Sequence, residues 1–437
     1  MANSVIVIVY TTLYRKGGHQ FPVVAATIAR EKKELGFKGE IVSRAVENKR
    51  EVLRTFAEVA AAGNVISEFH FVGHSGMYGP MFGTVAFPEQ FSPYEWETAS
   101  IPFAADAAAY FHCCRSARWF APFFSRVFNV KTYGFFWYTT FSLSKTHFKY
   151  AGTDATAERL YTIGCKGRKS HGLGASAMKF AGLMPAEEMK VFHPAPVTGD
   201  TSYNHVADLY DQAFADITVR KDEWDWLTKH LPATGDTDVL DIGCGNGALL
   251  NALSARIRSG RGVDESEAML EKARARNASH GNLEFARIDS PSLPFQDAQF
   301  DLVISLMSFR YLDWDPLLKE VKRVMKPGGK FLIVDMVIDP VKKGEYPQLV
   351  KDKFRTVFRQ KSNAAFNANL QRLVSHPDWK KMLEYNPIRS EHEMKWYLES
   401  RFPGHKMEIL NLGWNARIVA FDSGPVENGI EVKLSYP

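Results

Sequence analysis

Cysteine and long apolar runs are both scarce in this chain, and each scarcity excludes a class of protein. Four cysteines occur in 437 residues, and two of them, Cys113 and Cys114, are adjacent. Neighbouring thiols are poorly placed to bond to each other, so a disulfide framework is excluded and a reducing compartment is expected. The N-terminal apolar stretch, Val5 to Tyr10, lacks the flanks of a signal peptide. No window approaches the roughly 18 apolar residues of a transmembrane helix, so we expect a soluble, cytoplasmic protein.

An excess of charge of one sign is also absent. The 54 basic and 49 acidic residues leave a formal net charge of +5, and no block of like charge occurs. Nucleic acid and membrane partners are therefore not predicted, and no metal site is predicted either. Small acidic ligands stay compatible with this composition.

The length and the pattern of the chain predict two domains. In both halves, short β-branched runs alternate with longer amphipathic segments, which is the pattern of parallel sheets covered by helices. We predict an α/β protein with two doubly wound α/β/α sandwich domains, over residues 1–181 and 202–437. Residues 182–201 are rich in proline and glycine and have no periodicity, so they are predicted to be a linker.

A glycine-rich turn follows a predicted strand in the second half. In the segment DVLDIGCGNGALLNAL, three glycines, Gly243, Gly245 and Gly247, stand at G-x-G-x-G spacing. Absent side chains let the backbone bend sharply there and approach a ligand closely. Such a turn alone is weak, because glycine turns without a ligand are common.

Two aspartates give this turn a specific meaning. Asp264 ends the next predicted strand about 20 residues further on, where its carboxylate can accept hydrogen bonds from both hydroxyls of a ribose. A Rossmann dehydrogenase would show the same combination. Asp241, however, precedes the glycines, and a carboxylate there suits a cationic amino group better than a pyrophosphate. The pair therefore favours S-adenosylmethionine over NAD.

Further matches follow in order along the chain. LEFARIDSPSLPF ends a third strand at Asp289, FDLVISLMSFRYL supplies a fourth, and LLKEVKRVMKPGGKFLIVDMV gives a helix, a Pro-Gly-Gly turn and a fifth strand. With the glycine turn and Asp264, these segments resemble the class I S-adenosylmethionine-dependent (SAM-dependent) methyltransferase family over residues 203–421. The resemblance implies a Rossmann-like, seven-stranded domain with a helical insertion, and an enzyme that methylates with S-adenosylmethionine.

The resemblance also implies roles for single residues. The implied cofactor contacts are Asp241, Gly243 and Gly245 at the methionyl end, Asp264 at the ribose, Met269 on one adenine face, Asp289 and Ser290 at the adenine amino edge, and Ser305 in the fourth strand. The alternative for Asp289 is a capping or turn carboxylate. YNHVADLYDQAF resembles the N-terminal cap of the family, in which Tyr203 and Tyr210 can close over the cofactor. Ordinary core aromatics are the alternative for both tyrosines.

The acceptor side departs from the family. Alignment does most of the work in methyl transfer from a sulfonium, so a missing acid–base pair is no objection. Family members often carry a histidine near the end of the fourth strand, where this chain has Ser308–Tyr311. Arg310 facing the cofactor would suit a carboxylate or another anionic acceptor, with Tyr311 orienting it. A solvated or structurally paired arginine is the alternative.

A helical insertion is predicted from about Pro340 to Ser400, before a final pair of strands. In this family such insertions roof the acceptor pocket. This insertion contributes several aromatic residues, among them Phe354, Phe358, Phe366, Trp379, Trp396 and Tyr397. A roofed pocket favours a small-molecule acceptor.

The first half carries a histidine and a cysteine that each follow a predicted strand. SEFHFVGHSGMYG runs into His74, and YFHCC ends at Cys114. Parallel strands that end on one edge of a sheet can bring an imidazole to a thiol, which activates a thiolate nucleophile. The order of these motifs resembles caspase-like peptidases, including metacaspases and CHAT-type domains, over residues 1–165. The resemblance implies Cys114 as nucleophile and His74 as base.

Two residues depart from the caspase-like pattern. Ser75 follows His74 where the family usually has glycine, which displaces a backbone NH that stabilises the oxyanion. His112 stands two positions before Cys114, where members that cut after basic residues have an acidic residue. Three interpretations stay open: a peptidase, a caspase-like fold reused for substrate recruitment, association or regulation, and an unrelated α/β domain with buried thiols. A homo-oligomer or a protein partner through this domain fits the second.

Overall fold

The computed structural model describes residues 3–150, 157–165, 177–178, 181–196, 203–232 and 235–427, without the side chains of residues 358–362. The described residues up to 196 belong to one compact unit, and those from 203 onward belong to a second. Within these ranges, every helix is too short or too polar to cross a bilayer.

The first unit is built around a sheet of six strands. The described strands of the whole unit, inside and outside that sheet, are β1 Ser4–Thr11, β2 Ile41–Val46, β3 Val65–Val72, β4 Ser75–Gly76, β5 Gly79–Gly83, β6 Pro88–Gln90, β7 Phe103–His112, β8 Lys131–Gly134, β9 Tyr138–Ser142, β10 Tyr161–Cys165 and β11 Lys190–Phe192. Its described helices are α1 Gln20–Glu34, α2 Lys49–Ala61, α3 Pro93–Glu97 and α4 Phe120–Phe128. The main sheet has the order β11-β8-β7-β3-β1-β2 and is parallel except for the edge strand β11.

Helices cover both faces of this sheet at β1. Val7 belongs to the core that contains Phe56 of α2, whereas Ile6 and Ile8 belong to the core that contains Phe21 of α1. Successive side chains of a strand point to opposite faces, so a strand buried on both faces is apolar throughout. This explains the unbroken apolar run at the N-terminal end of the sequence.

The first unit extends further along the chain than the sequence predicts. Lys190–Phe192 pairs antiparallel with β8, and the Ser125 hydroxyl donates a hydrogen bond to the Phe192 carbonyl at 3.2 Å. The described residues up to Phe192 therefore group with this unit, beyond the boundary predicted at residue 181. A strand of three residues is too short to show a hydrophobic period, so its composition resembles that of a linker.

The second unit is built around a sheet of seven strands. These are β12 Asp238–Ile242, β13 Ser259–Asp264, β14 Leu283–Arg287, β15 Phe300–Leu306, β16 Met325–Ile338, β17 Glu408–Leu412 and β18 Ala416–Asp422. Its helices are α5 Ala207–Phe214, α6 Lys221–His230, α7 Ala248–Leu253, α8 Glu267–Arg276, α9 Trp314–Val324, α10 Tyr346–Ser362, α11 Ala364–Ser375, α12 Pro377–Tyr385 and α13 Glu391–Arg401. Short 3₁₀ turns occur at Tyr203–Val206 and Phe309–Tyr311.

The strand order of this sheet reverses at β12. The order is β14-β13-β12-β15-β16-β18-β17, with β12 to β16 parallel and the last two strands antiparallel to their neighbours. The chain moves outward from β12 to β14 and then returns to β15 on the other side of β12. Connections that leave in opposite directions open a crevice at the carboxyl ends of β12 and β15. The predicted α/β class is confirmed, and this unit has a Rossmann-like sheet.

Candidate functional site

The crevice beside β12 gathers the residues that the sequence singles out. Asp241 lies near the end of β12, Asp264 ends β13, and the glycine turn leads from β12 into α7. Because these strands are parallel neighbours, their carboxyl ends bring the two aspartates and the turn to one edge of the sheet.

The glycine turn adopts a backbone conformation that is unfavourable for residues with a side chain. Gly243 and Gly245 have φ angles of 72° and 53°, in the left-handed region. A Cβ at Gly243 would collide with the Ser308 side chain, and a Cβ at Gly245 would lie 3.2 Å from the methyl carbon of Met269. Hydrogen bonds from the backbone N–H of Gly243 and Cys244 to the Val263 carbonyl, at 2.8 and 3.0 Å, hold the turn against β13.

Asp264 is oriented by two backbone donors. Its Oδ2 accepts a hydrogen bond from the Gly245 N–H at 2.9 Å, and its Oδ1 accepts one from the Ser266 N–H at 2.9 Å. Burial raises the pKa of this carboxyl. A carboxylate oxygen can accept more than one hydrogen bond, so both oxygens keep capacity for the hydroxyls of a ribose.

The carboxyl group of Asp241 is in an electrostatically unfavourable position in the crevice. Its side chain is 2% exposed, and its Oδ1 has no hydrogen-bond partner among the described residues. Burial, and then the charge of Asp264, raise the pKa of Asp241 to about 8. A buried carboxylate without a partner is costly, and a cation that approaches it recovers that cost. The crevice therefore fits the ammonium group of an amino acid at this oxygen.

The other predicted cofactor contacts differ from one another in burial and hydrogen bonding. Met269 is buried beside the turn, as an adenine-facing side chain would be. Asp289 is exposed and Ser290 is half-buried, just beyond the end of β14, so their role stays a prediction. Ser305 is fully buried, and its hydroxyl hydrogen-bonds to that of Ser308 at 2.7 Å. This hydrogen bond ties β15 to the residues that follow it, and the predicted cofactor contact of Ser305 stays a prediction.

The predicted cap lies over the glycine turn. Tyr203 contacts Tyr210 and Tyr311, with ring centroids 5.8 and 6.2 Å apart, and it contacts Trp379 of α12 at 5.8 Å. Burial raises the pKa of the Tyr203 phenol well above its usual value. We call Tyr203, Tyr210, Tyr311 and Trp379 the aromatic cluster. The cluster borders the glycine turn through Tyr210, whose Cε1 would lie 3.9 Å from a Cβ at Gly245.

Three polar residues tie this cap to the turn, and the sequence patterns do not reveal them. The Asn246 amide donates a hydrogen bond to Asp211 of α5 at 2.9 Å. Arg276 of α8 donates to the same carboxylate at 2.8 Å and to the Asn246 carbonyl at 2.6 Å. These contacts join residues that are up to 65 positions apart, so only the folded chain shows them.

Arg310 is a structural ion-pair partner and not an exposed anion receptor. Its side chain is almost fully buried against the fully buried Asp335 of β16, with which it forms a salt bridge. The Arg310 backbone N–H also donates to Asp335, at 2.6 Å. Because Asp335 compensates the guanidinium charge, the electrostatic reason for an anionic acceptor disappears. The predicted direct role of Arg310 in positioning the acceptor is therefore corrected, whereas Tyr311 lies within the aromatic cluster.

The insertion contributes to the cap through α11 and α12. Phe366 and Trp379 pack with residues of the cap. Phe354 is 74% exposed, and Phe358 lies outside the described side chains. Tyr397 is buried in the sheet core, where its hydroxyl donates to Asp315 at 3.0 Å. Trp396 lies on α13 and contacts His392 of the same helix, with 4.7 Å between ring centroids.

In the first unit, His74 and Cys114 follow the neighbouring strands β3 and β7, as predicted. Their polar contacts go elsewhere. His74 Nε2 hydrogen-bonds to the Lys16 carbonyl at 2.7 Å, and the Cys114 thiol hydrogen-bonds to the Thr139 hydroxyl at 3.2 Å. A ring nitrogen that faces a carbonyl must carry a proton, so Nε2 is a donor here and cannot be the base that accepts the thiol proton. The predicted dyad is thus not assembled through this nitrogen.

The adjacent thiol, Cys113, points into the interior, as predicted. It is fully buried, and burial raises its pKa to about 12. Strand β7 also carries His112, whose Nε2 lies 3.1 Å from His70 Nδ1. His70 in turn hydrogen-bonds through Nε2 to Glu68 at 2.9 Å. Burial lowers the pKa of both histidines, so this carboxylate–histidine–histidine chain is neutral at its rings near pH 7.

Part of the second unit matches a known protein family. A family model described as a methyltransferase domain matches residues 239–329, which begin in β12 and end in β16. The prediction of a class I SAM-dependent methyltransferase domain is confirmed, with S-adenosylmethionine as the cofactor of that domain class. The family model does not extend over the first unit.

Several curated relatives are methyltransferases. The demethylmenaquinone methyltransferase of Lactococcus lactis subsp. lactis (strain IL1403) is 33% identical over 142 residues, which are 30% of this chain and 56% of that protein. The ubiquinone/menaquinone biosynthesis C-methyltransferase UbiE of Hahella chejuensis (strain KCTC 2396) is 31% identical over 160 residues, 33% of this chain and 64% of that protein. This chain therefore spans a little over half of these relatives' length. A solved SAM-dependent methyltransferase from Aquifex aeolicus has 19% identity and a TM-score of 0.34, and covers 52% of this chain and 99% of its own.

The burial of the four thiols predicts a single reactive one. Cys113, Cys165 and Cys244 are buried, whereas Cys114 is half-exposed. We expect iodoacetamide to alkylate Cys114 in the native protein at least about tenfold faster than the other three thiols. Peptide mass mapping of a time course measures this, and the urea-unfolded chain, in which the four thiols should react alike, is the control. Equal or faster labelling of Cys113 or Cys244 in the native protein would contradict the arrangement.

Proposed function

We propose that this protein transfers a methyl group from S-adenosylmethionine to a small, predominantly apolar acceptor. The observation that carries the proposal is the buried Oδ1 of Asp241, which lacks a hydrogen-bond partner among the described residues and lies beside a turn that only glycine can form. The ammonium group of the cofactor would satisfy this oxygen, and Asp264 would accept the ribose hydroxyls. Met269, Asp289 and Ser290 are the proposed adenine contacts.

S-adenosylmethionine, when bound, supplies an electrophilic methyl carbon attached to a sulfonium. The residues of this chain hold the cofactor in position. Asp241 fixes the amino-acid end, Asp264 fixes the ribose, and the bare backbone at Gly243 and Gly245 permits close approach. Holding the acceptor in line with the carbon–sulfur bond converts a bimolecular reaction into a first-order one, which accounts for most of the expected acceleration.

The aromatic cluster supports an apolar, ring-containing acceptor. Its rings offer area for stacking, and Asp335 compensates the charge of Arg310. The raised pKa of Tyr203 keeps its phenol protonated, so Tyr203 would donate a hydrogen bond to an acceptor oxygen and would not act as a base. The names of the relatives from Lactococcus lactis and Hahella chejuensis, which refer to quinone precursors, agree with an acceptor of this kind.

We further propose that the methyltransferase domain covers residues 202–437 and that the first domain reaches about residue 196. Both would be doubly wound sandwiches. In this proposal the first domain recruits substrate, mediates association or regulates access. A caspase-like peptidase activity is not part of it, because His74 Nε2 is occupied by a carbonyl and the Cys114 thiol by Thr139.

Replacing Asp264 tests the ribose contact. We expect Asp264→Ala to weaken binding of S-adenosylmethionine by about a hundredfold, because two charge-assisted hydrogen bonds are lost. Isothermal titration calorimetry of the full chain measures this, and circular dichroism checks folding. Asp297→Ala is the matched control, since that carboxylate is exposed and pairs only with Arg323 among its described ion-pair partners. Unchanged affinity in a folded Asp264→Ala protein would refute the assignment.

The raised pKa of Asp241 makes cofactor binding pH-dependent. Below about pH 8 this carboxyl carries a proton in the folded protein, and pairing with an ammonium requires its loss. Affinity should therefore rise from pH 6 to 7.5, by at most about tenfold per pH unit. The rise should stop near pH 8, because an α-amino group loses its own proton at about that pH.

Calorimetry in two buffers of different ionisation enthalpy counts the protons released. At pH 6.5 the wild-type protein should release close to one proton per cofactor bound, and Asp241→Asn should release close to none and bind more weakly. Asp297→Ala should behave like the wild type. Equal proton release by the wild type and Asp241→Asn would show that another group titrates.

A further inference from the structure

Helix α10 of the insertion exposes a continuous apolar stripe. Tyr346, Val350, Phe354 and Val357 are 47%, 52%, 74% and 50% exposed. Their spacing of four, four and three residues places them within about 80° of arc on one side of a helix. Single exposed apolar residues need no explanation, but four on one helix face form a surface that water solvates poorly.

A tryptophan from another element enlarges this stripe. Trp414, in the turn between β17 and β18, is 53% exposed, and its ring centroid lies 6.5 Å from that of Tyr346. The Lys353 ammonium lies 4.7 Å from the Trp414 ring centre. We call Tyr346, Val350, Phe354, Val357 and Trp414 the α10 stripe.

The charges around the α10 stripe are positive on the solvent side. Lys351 and Lys353 are exposed and border the apolar arc on its two sides. The nearest acidic residues turn inward: Asp352 is buried and accepts a hydrogen bond from the Leu412 N–H at 3.0 Å, and Glu345 pairs with the buried Arg417 at 2.8 Å. An apolar strip edged by lysines therefore faces the solvent.

We propose that the α10 stripe docks on the surface of an anionic lipid bilayer, with α10 lying in the interfacial plane. Apolar side chains between lysine borders are the arrangement of helices that bind in this plane. The lysine stems can reach toward anionic headgroups while Val350 and Phe354 enter the acyl boundary. Tyrosine and tryptophan rings favour the headgroup level, which suits Tyr346 and Trp414. The proposal goes beyond methyl transfer and does not depend on it.

Charge favours a bilayer over a second copy of this chain. In a twofold contact the same patch faces itself, so Lys351 and Lys353 would be brought close to the same lysines of the other copy. Like charges at an interface oppose association. Anionic headgroups instead complement these lysines, at roughly fivefold in affinity per lysine.

Vesicle sedimentation of the full chain tests the proposal. The probes are large unilamellar vesicles of phosphatidylcholine alone and of an equimolar mixture with phosphatidylglycerol. We expect binding to the mixed vesicles, weaker binding to the neutral ones, and loss of binding as salt increases. Phe354→Glu and Val350→Glu should each lower the partition coefficient about tenfold or more.

Val85→Glu is the matched control, since Val85 in the first unit is 53% exposed, and it should bind like the wild type. Circular dichroism checks that each variant is folded, and light scattering gives the oligomeric state. Absence of binding to both vesicle types, or equal binding by Phe354→Glu, Val350→Glu and the wild type, would overturn the proposal. So would a dimer that Phe354→Glu dissociates without any vesicle binding, because the α10 stripe would then join two copies.

Discussion

The carboxylate of Asp241 is the constraint on which the second unit depends. Strand β12 buries it at the point where the strand order reverses, and its Oδ1 has no hydrogen-bond partner among the described residues. A folded chain tolerates such a group only where it brings a compensating function. The glycine turn, the two N–H bonds to Asp264 and the tie between Asn246 and Asp211 all hold the surroundings of that oxygen in place for a cationic ligand.

The local parts of this site could be predicted from the sequence, because each is encoded within a few residues. A strand, three spaced glycines and an aspartate at the end of the next strand identify the turn and Asp264 without knowledge of the fold. Arg310 could not be interpreted in the same way, since its partner Asp335 lies on a neighbouring strand 25 positions away. Burial and pairing of that kind depend on strand order, which a single sequence does not give.

In the first unit too, positions along the strands could be predicted from the sequence, whereas side-chain partners could not. The parallel sheet brings His74 and Cys114 to one edge, as their positions after two strands predict. The partners of the two side chains, Lys16 and Thr139, come from segments without any distinguishing motif, and they decide the chemistry. Likewise, β11 is recognisable only through its pairing with β8, so the end of this unit was beyond what proline and glycine content could predict.

The α10 stripe shows how whole-chain properties conceal a local surface. A net charge of +5 over 437 residues gives no reason to expect a membrane, yet α10 exposes Lys351 and Lys353 and buries Asp352. If the stripe holds the protein on a bilayer, an apolar acceptor dissolved in that bilayer would be near the insertion whose next helices, α11 and α12, pack on the cap. Binding to the membrane surface would then bring the site close to its apolar acceptor.

A crystal structure of the full chain with S-adenosylhomocysteine tests the central claim most directly. The account predicts the ligand ammonium within about 3 Å of Asp241 Oδ1 and the ribose hydroxyls on the Asp264 carboxylate. An empty crevice at saturating ligand, or a ligand held with its ammonium away from Asp241, would contradict it.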